Sequence, residues 1–142
     1  MTTGIYKEKI LDHYRHPRNY GDLAGANACA RDSNVLCGDV VEMKLLINSD
    51  RIEEAHFKGE GCAISIATAS MLTEFSQGRS VTEISTLGNK ELIKLLGIDP
   101  GPARIECALL ALEVMKTAIN ARQDAKRSIP SGSSCNRELG KC

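Results

Sequence analysis

Every second residue is apolar over residues 40–48, the pattern of a strand with one buried face and one face in water. The apolar positions of this strand are Val41, Met43, Leu45 and Ile47. Ser49-Asp50 is predicted to turn the chain, and residues 51–58 return as a second strand. The inward positions of that second strand are Ile52, Ala55 and Phe57. A shorter strand is predicted over residues 27–33. The pattern therefore predicts an antiparallel sheet of three strands.

Helical periodicity dominates the chain on both sides of this sheet. An opening helix is predicted over residues 5–16, with one apolar stripe and with Pro17 ending it. The stripe consists of Tyr6, Ile10 and Tyr14. One further helix is predicted from Cys62 to just before Gly78, and a short one from a capping box at Ser80 to Gly88. Another is predicted over 90–96, with Asn89 as its cap and Gly97 as its end. The last is predicted over about 103–123. The long last helix has the apolar stripe Ile105, Leu109, Leu112, Met115 and Ile119.

The fold class that follows is α+β, a small three-stranded antiparallel sheet packed against several helices with a long C-terminal helix. The chain of 142 residues is short enough for one domain. We expect that domain to occupy residues 1–123. Residues 124–142 are polar and include a Ser-Gly-Ser-Ser run, so they are expected to form a mobile tail.

Composition narrows the class of protein. The formal net charge is zero, which gives no electrostatic support for a nucleic-acid or anionic-membrane partner. No apolar run approaches the roughly 20 residues that span a bilayer, and the residues after Met1 do not resemble a signal peptide. We therefore expect a cytoplasmic protein. In a reducing cytoplasm the six cysteines are expected to be metal or redox ligands, or buried small apolar residues, rather than disulfides.

Four residues form the candidate site of this chain. Cys37 and Asp39 flank Gly38 just before the first strand of the hairpin, and Cys62 follows Gly61 just after the second strand. Because a hairpin returns the chain to its start, these three side chains are expected to meet. Cys107 lies near the start of the long helix and could complete the set. Three thiolates and a carboxylate are a tetrahedral ligand set for Zn²⁺ or iron.

The carboxylate in this set carries functional information. Structural zinc sites are usually filled by cysteine and histidine, and the hard oxygen of Asp39 suits a soft metal less well than a fourth thiolate would. Such a mismatch is expected in a site that must release what it binds. Cys62, at the start of a helix, is expected to have a lowered thiol pKa because of the helix dipole.

Other residues with ligand chemistry have weaker support. His13 and His16 could be ligands, but we favour solvated or capping roles on an amphipathic helix. His56 alternates with the inward-facing Phe57 and is expected to face solvent. The tail residues Cys135 and Cys142 could handle metal or sulfur as a pair, but we favour two incidental thiols.

Several motifs together resemble the U-type iron–sulfur cluster scaffold family, which includes IscU, SufU and the N-terminal domain of NifU. The motifs are Asp12-His13-Tyr14, Pro17-Arg18-Asn19, Cys37-Gly38-Asp39, Phe57-Lys58-Gly59, Gly61-Cys62-Ala63-Ile64-Ser65, Ala69-Ser70 and Cys107-Ala108. The resemblance extends from about Tyr6 to Ile119 and implies an IscU-like or SufE-like fold.

The resemblance implies a scaffold or carrier function rather than turnover catalysis. Cys37, Cys62 and Cys107 would hold a transient [2Fe–2S] cluster, with Asp39 as the labile position, and the same four residues would bind Zn²⁺ when no cluster is present. Sulfur would arrive as a persulfide from a pyridoxal-phosphate cysteine desulfurase, with Cys37 and Cys107 as candidate acceptors. Iron and electrons would come from other proteins, and the cluster would pass to apo-acceptor proteins.

Two departures from the family pattern leave the subtype open. Glu106 stands where IscU-type members have a histidine, and we expect it to face solvent or a basic partner. Residues 99–104 replace the segment that a dedicated Hsp70 recognises, so that partnership is not implied. The 44 residues between Cys62 and Cys107 leave too little room for the SufU-type insertion. The alternative functions are a zinc-dependent sulfurtransferase partner of a desulfurase and a structural zinc module.

Overall fold

The computed structural model describes residues 3–34, 38–97 and 105–128. In these parts of the chain, one helix precedes a three-stranded sheet and four helices follow it. The elements are α1 (Thr3–Arg15), β1 (Ala28–Asn34), β2 (Asp39–Asn48), β3 (Arg51–Glu60), α2 (Ala63–Ser76), α3 (Val81–Ser85), α4 (Asn89–Leu96) and α5 (Ile105–Ser128). The predicted α+β class is confirmed.

The sheet is antiparallel, as predicted, and its strand order is β1-β2-β3. In its central row Ala30 pairs with Met43, which pairs with Phe57 on the other side. A register shift between Leu46 and Ile47 adds a residue to the β2–β3 pairing. β3 continues to Glu60, which pairs with Val40, instead of ending at Lys58 as predicted. The β2–β3 ladder therefore runs up to the two candidate segments and holds them at the same end of the sheet.

One face of the sheet packs against α2 and α5 and forms the core. The largest fully buried side chains include Phe57, Met43, Leu45, Leu72, Leu112 and Met115. Each large apolar side chain buried in this way contributes about 1.5–3 kcal/mol relative to an exposed one. This packing fixes the first turns of α2 and α5 against the end of the sheet where the candidate residues lie.

The outer edge of β3 is covered by the segment that follows α1. The Phe57 N–H donates to the Asn19 carbonyl at 2.9 Å, and the Gly21 N–H donates to the Phe57 carbonyl at 2.8 Å. His56 is half-buried, and its Nδ1 lies 2.8 Å from the Asp22 carbonyl oxygen. The prediction that His56 faces solvent is therefore wrong in part, because this segment shields the face on which it lies.

Helix α1 packs on α2 through a face that the sequence did not predict. Ile10 and His13 are buried, whereas Tyr14, assigned to the same apolar stripe as Ile10, is 43% exposed. His13 Nδ1 lies 2.7 Å from Ser70 Oγ, and the same oxygen accepts the Arg18 N–H at 2.9 Å. The solvated role expected for His13 is therefore wrong, since a buried hydroxyl satisfies its ring. His16 is exposed, as predicted.

The helix ends agree with the sequence in part, and α3 ends at Ser85 instead of continuing to Gly88 as predicted. The capping box of Ser80 and Glu83 is present, and Gly97 ends α4 in the left-handed conformation with φ 83°. The N-cap of α4 is Gly88 rather than Asn89, which is already helical. Helix α5 continues to Ser128, beyond the predicted end near residue 123. No helix in the described ranges has the length and apolar character that crossing a membrane requires.

Candidate metal centre

Three elements bring three of the four candidate residues together. Asp39 opens β2, Cys62 is the N-cap of α2, and Cys107 lies in the first turn of α5. One ligand atom of each residue can be chosen so that all three atoms lie within 4.8 Å of one another. For comparison, two thiolates bound to one tetrahedral zinc ion are about 3.8 Å apart, given Zn–S bonds of about 2.3 Å. Small side-chain movements therefore suffice to place these atoms around one ion.

The fourth candidate, Cys37, lies outside the described residues, as do Cys135, Cys142 and the 99–104 segment. Gly38, next to Cys37, is described and has φ 75°, in the left-handed region that favours glycine. Its N–H donates to the Asn34 carbonyl at 2.8 Å. This tight turn directs the chain into β2 at Asp39.

The carboxylate of Asp39 is fully buried and accepts hydrogen bonds from Cys62 and Ser65. The Cys62 backbone N–H donates to Oδ1 at 3.0 Å, and the Ser65 hydroxyl donates to Oδ2 at 2.7 Å. The first of these donors belongs to the set of free N–H groups at a helix start, where a negative charge is stabilised. Asp39 therefore has a defined orientation before any metal binds.

Cys62 is the most accessible of the three candidate ligands and has a lowered thiol pKa. Burial raises this pKa, but hydrogen bonds, first among them the one from the Ser65 backbone N–H, lower it further than burial raises it. The nearby Asp39 charge acts in the opposite direction and raises it. The net direction agrees with the prediction for a thiol at a helix N-terminus. Cys62 therefore favours the thiolate, the form that binds metals and attacks sulfur.

Cys107 connects the site to the core. Its side chain is fully buried, and its carbonyl oxygen lies 3.4 Å from the Ser65 hydroxyl. The neighbouring Glu106 is exposed and does not belong to the group of possible ligands in the described residues. The predicted orientation of Glu106 toward solvent is therefore confirmed.

The close approach of Gly61 to Asp39 explains one of the glycines in the motif. A Cβ atom added at Gly61 would lie 2.9 Å from Asp39 Cγ, closer than real Cβ atoms approach other atoms, and 3.0 Å from Asp39 Cβ, which is also a tight contact. Only a glycine leaves room here for the carboxylate to accept the Cys62 N–H.

Cys29 differs from the expectation that the cysteines avoid disulfides. It is fully buried on β1 and disulfide-bonded. The expectation depended on a reducing compartment, which the sequence does not establish.

Ser65 is the site residue that the sequence analysis missed as a functional residue. It occupies the third helical position after the N-cap Cys62, a position whose side chain commonly bonds back toward the cap. That spacing within Gly61-Cys62-Ala63-Ile64-Ser65 was the available signal.

Comparison with known proteins gives one consistent family. The family described as NifU-like N terminal domain matches residues 5–128. The IscU iron–sulfur cluster assembly scaffold protein of Aquifex aeolicus is 40% identical over 116 residues, covering 80% of this chain and 73% of that protein. The corresponding IscU protein of Escherichia coli K12 is 34% identical over 128 residues, covering 85% of this chain and 98% of that protein.

Solved structures show the same fold. A crystal structure titled as a hypothetical protein has a TM-score of 0.72 and 32% identity, with 83% of this chain and 98% of that chain covered. The N-terminal NifU-like protein of Brucella abortus has a TM-score of 0.73 at 20% identity, with 84% and 95% covered, and supports the fold alone.

Proposed function

This chain belongs to the NifU-like N-terminal domain family, and we propose that it is a scaffold on which iron–sulfur clusters are assembled before transfer to other proteins. The observation that carries the proposal is the convergence of Asp39, Cys62 and Cys107 at one end of the sheet. Relatives that match most of the chain are named as iron–sulfur cluster assembly scaffolds. Its role is therefore that of a scaffold or carrier rather than a turnover enzyme.

The cluster that we assign to this site is [2Fe–2S], held by Cys37, Cys62 and Cys107 with Asp39 as the exchangeable fourth ligand. Thiolates are the usual ligands of such clusters. Cys37 precedes Asp39 by two residues, so their Cα atoms are at most about 7 Å apart. That distance allows the Cys37 thiol to join the other three side chains. The cluster is the cargo of the protein, and iron and sulfide are its substrates.

The same donors fit Zn²⁺ in the cluster-free protein. Three thiolates and one carboxylate match the ligands and coordination number that zinc accepts. The lowered pKa of Cys62 supports this fit, because a metal-binding thiol must lose its proton. Bound zinc would stabilise the site between rounds of assembly.

Sulfur delivery from a cysteine desulfurase requires an accessible thiolate on the scaffold. The scaffold thiolate attacks the terminal sulfur of the enzyme persulfide, the enzyme S–S bond breaks, and the enzyme cysteine leaves as a thiolate. Cys37 and Cys107 are the candidate acceptors. The complete burial of Cys107 argues against it as the first acceptor, because a partner loop cannot reach Cys107 without movement of the site.

Anaerobic reconstitution tests this function. The purified chain is treated with ferrous iron, a cysteine desulfurase, cysteine and a reductant, and the visible spectrum, iron and acid-labile sulfide are measured. A scaffold should become red-brown and contain iron and sulfide in equal amounts. A zinc-dependent sulfurtransferase would raise desulfurase turnover and acquire no cluster, and that result would contradict the proposal.

A further inference from the structure

We propose that Ser65 is a positioning residue that orients the Asp39 carboxylate as a metal ligand. The inference deepens the scaffold function proposed above and depends on it. Ser65 is fully buried and lies on α2, whereas Asp39 lies on β2, so their hydrogen bond joins the two elements at the centre of the site.

The geometry identifies Asp39 as the main acceptor of the Ser65 proton. A hydroxyl has one proton to donate. Asp39 Oδ2 lies 2.7 Å from Ser65 Oγ, whereas the Cys107 carbonyl oxygen lies at 3.4 Å and the Cys62 Sγ at 3.8 Å. A hydroxyl–carboxylate distance of 2.7 Å lies at the upper end of the range for charge-assisted hydrogen bonds. The other two contacts are long.

A ligand carboxylate needs such a donor because it can otherwise rotate about its own bonds. With the Cys62 N–H on Oδ1 and the Ser65 hydroxyl on Oδ2, both oxygens of Asp39 are fixed. A carboxylate oxygen has two lone pairs, so an oxygen that accepts a hydrogen bond is also able to bind a metal. Groups that orient a metal ligand in this way typically change metal affinity by about 10- to 100-fold when they are removed.

The long contact between the Ser65 hydroxyl and the Cys107 carbonyl offers the hydroxyl a second acceptor when Asp39 leaves the metal. If the carboxylate moves when an incoming thiol displaces it, the Ser65 hydroxyl can turn toward the Cys107 carbonyl. The hydroxyl then does not lose its only acceptor. Ser65 thus orients Asp39 for binding without making its displacement prohibitive.

The test measures metal binding without a cluster. Zn²⁺ affinity is determined by competition with a chromophoric chelator, and Co²⁺ spectra report the ligands through their thiolate charge-transfer and visible bands. In Ser65→Ala we expect a loss of Zn²⁺ affinity of about 10- to 100-fold. The thiolate bands should keep their intensity, while the visible bands shift toward those of Asp39→Ala.

Three comparisons separate positioning from a general effect on the fold. Ser65→Ala should have no further effect in an Asp39→Ala background, because the group that it orients is absent. Thr68 lies on the same helix as Ser65, and its buried hydroxyl has no hydrogen-bond partner among the described residues. The Thr68→Ala variant should therefore bind Zn²⁺ like the parent. If Ser65→Ala does not fold, Ser65→Thr and Ser65→Val replace it, since they share a shape and differ in the hydroxyl. The threonine variant should then bind Zn²⁺ more tightly than the valine variant.

Three results would each overturn the proposal. The first is equal Zn²⁺ affinity of Ser65→Ala and the parent, and the second is a loss of affinity from Ser65→Ala that is as large in the Asp39→Ala background as in the parent. The third is equal Zn²⁺ affinity of Ser65→Thr and Ser65→Val. Failure of the scaffold function is distinguishable from these outcomes. In that case the parent would form no cluster on reconstitution, whereas the Zn²⁺ and Co²⁺ measurements would still follow the predicted pattern.

Discussion

The Oδ2 atom of Asp39 and the Sγ atom of Cys62 lie 4.0 Å apart, although the two residues are 23 positions apart in the sequence. The β2–β3 ladder produces this proximity, because Val40 pairs with Glu60 just inside the two residues. Two groups that repel each other when both are charged are thus held side by side, and the Asp39 charge raises the pKa of Cys62. A bound cation relieves that repulsion, so the geometry of the pair favours a metal.

Replacing Gly61 by alanine should damage the site more than the fold. The added Cβ would lie 3.0 Å or less from Asp39 side-chain carbons, so the carboxylate must move away from the Cys62 N–H. We expect Zn²⁺ affinity to fall by at least about tenfold with little change in urea stability. Gly59→Ala is the control, since its Cβ would meet the backbone of Val40 and Val41 instead. It should lower the free energy of unfolding by about 1–3 kcal/mol. Reversed effects of the two variants would contradict the assigned contacts.

His13 should make the fold less stable in mild acid. Burial lowers its pKa in the folded state, and the Arg18 charge lowers it further, although Glu74 and Asp12 oppose this. Above about pH 6.5 the ring is neutral in both the folded and the unfolded state and contributes nothing to the pH dependence of stability. Below that pH the unfolded chain takes up the proton more readily than the folded chain, so stability is lost as pH falls toward the folded pKa.

Urea denaturation between pH 7 and pH 5 should show a smaller decrease in the free energy of unfolding for His13→Gln than for the parent. His16→Gln, at an exposed position, should follow the parent. Equal slopes for all three proteins would show that His13 does not contribute.

The cysteines at the site should differ in reactivity. Cys62 is half-buried with a lowered thiol pKa, whereas Cys107 is fully buried. In the metal-free protein, iodoacetamide should modify Cys62 well before Cys107, as measured by mass spectrometry of proteolytic peptides over time. Under denaturing conditions the two rates should become similar. Earlier modification of Cys107 in the native protein would mean that its thiol is not buried as described.

The sequence predicted the sheet and the meeting of the site segments because both depend on local rules. The alternation over β2 and β3 and the turn between them determine which residues lie side by side. The burial of His13 depends instead on Ser70, 57 positions away, and no periodicity of α1 shows it. The role of Ser65 was missed for a similar reason, since its partner Asp39 is on another element.

Glu106 should not contribute to metal binding, although it stands beside Cys107. It is exposed and lies outside the group of possible ligands in the described part of the chain. Glu106→Gln should therefore bind Zn²⁺ with nearly the affinity of the parent in the chelator competition. A loss of more than about tenfold, the low end of the effect of removing an outer partner, would show that the carboxylate participates.

We propose that the cluster is released from the scaffold by displacement of Asp39. If Asp39 is the fourth ligand, we expect its oxygen to bind iron less firmly than a thiolate would in this soft environment. An incoming acceptor thiol would then displace Asp39 while Cys37, Cys62 and Cys107 keep the cluster. The most direct measurement is the decay of visible absorbance of the reconstituted parent and Asp39→Ala, in parallel anaerobic samples with and without an apo-ferredoxin. We predict that Asp39→Ala folds, keeps its cluster longer than the parent, and transfers it more slowly. Faster loss of the cluster from Asp39→Ala in both samples would contradict the claim and leave Asp39 as an ordinary fourth ligand.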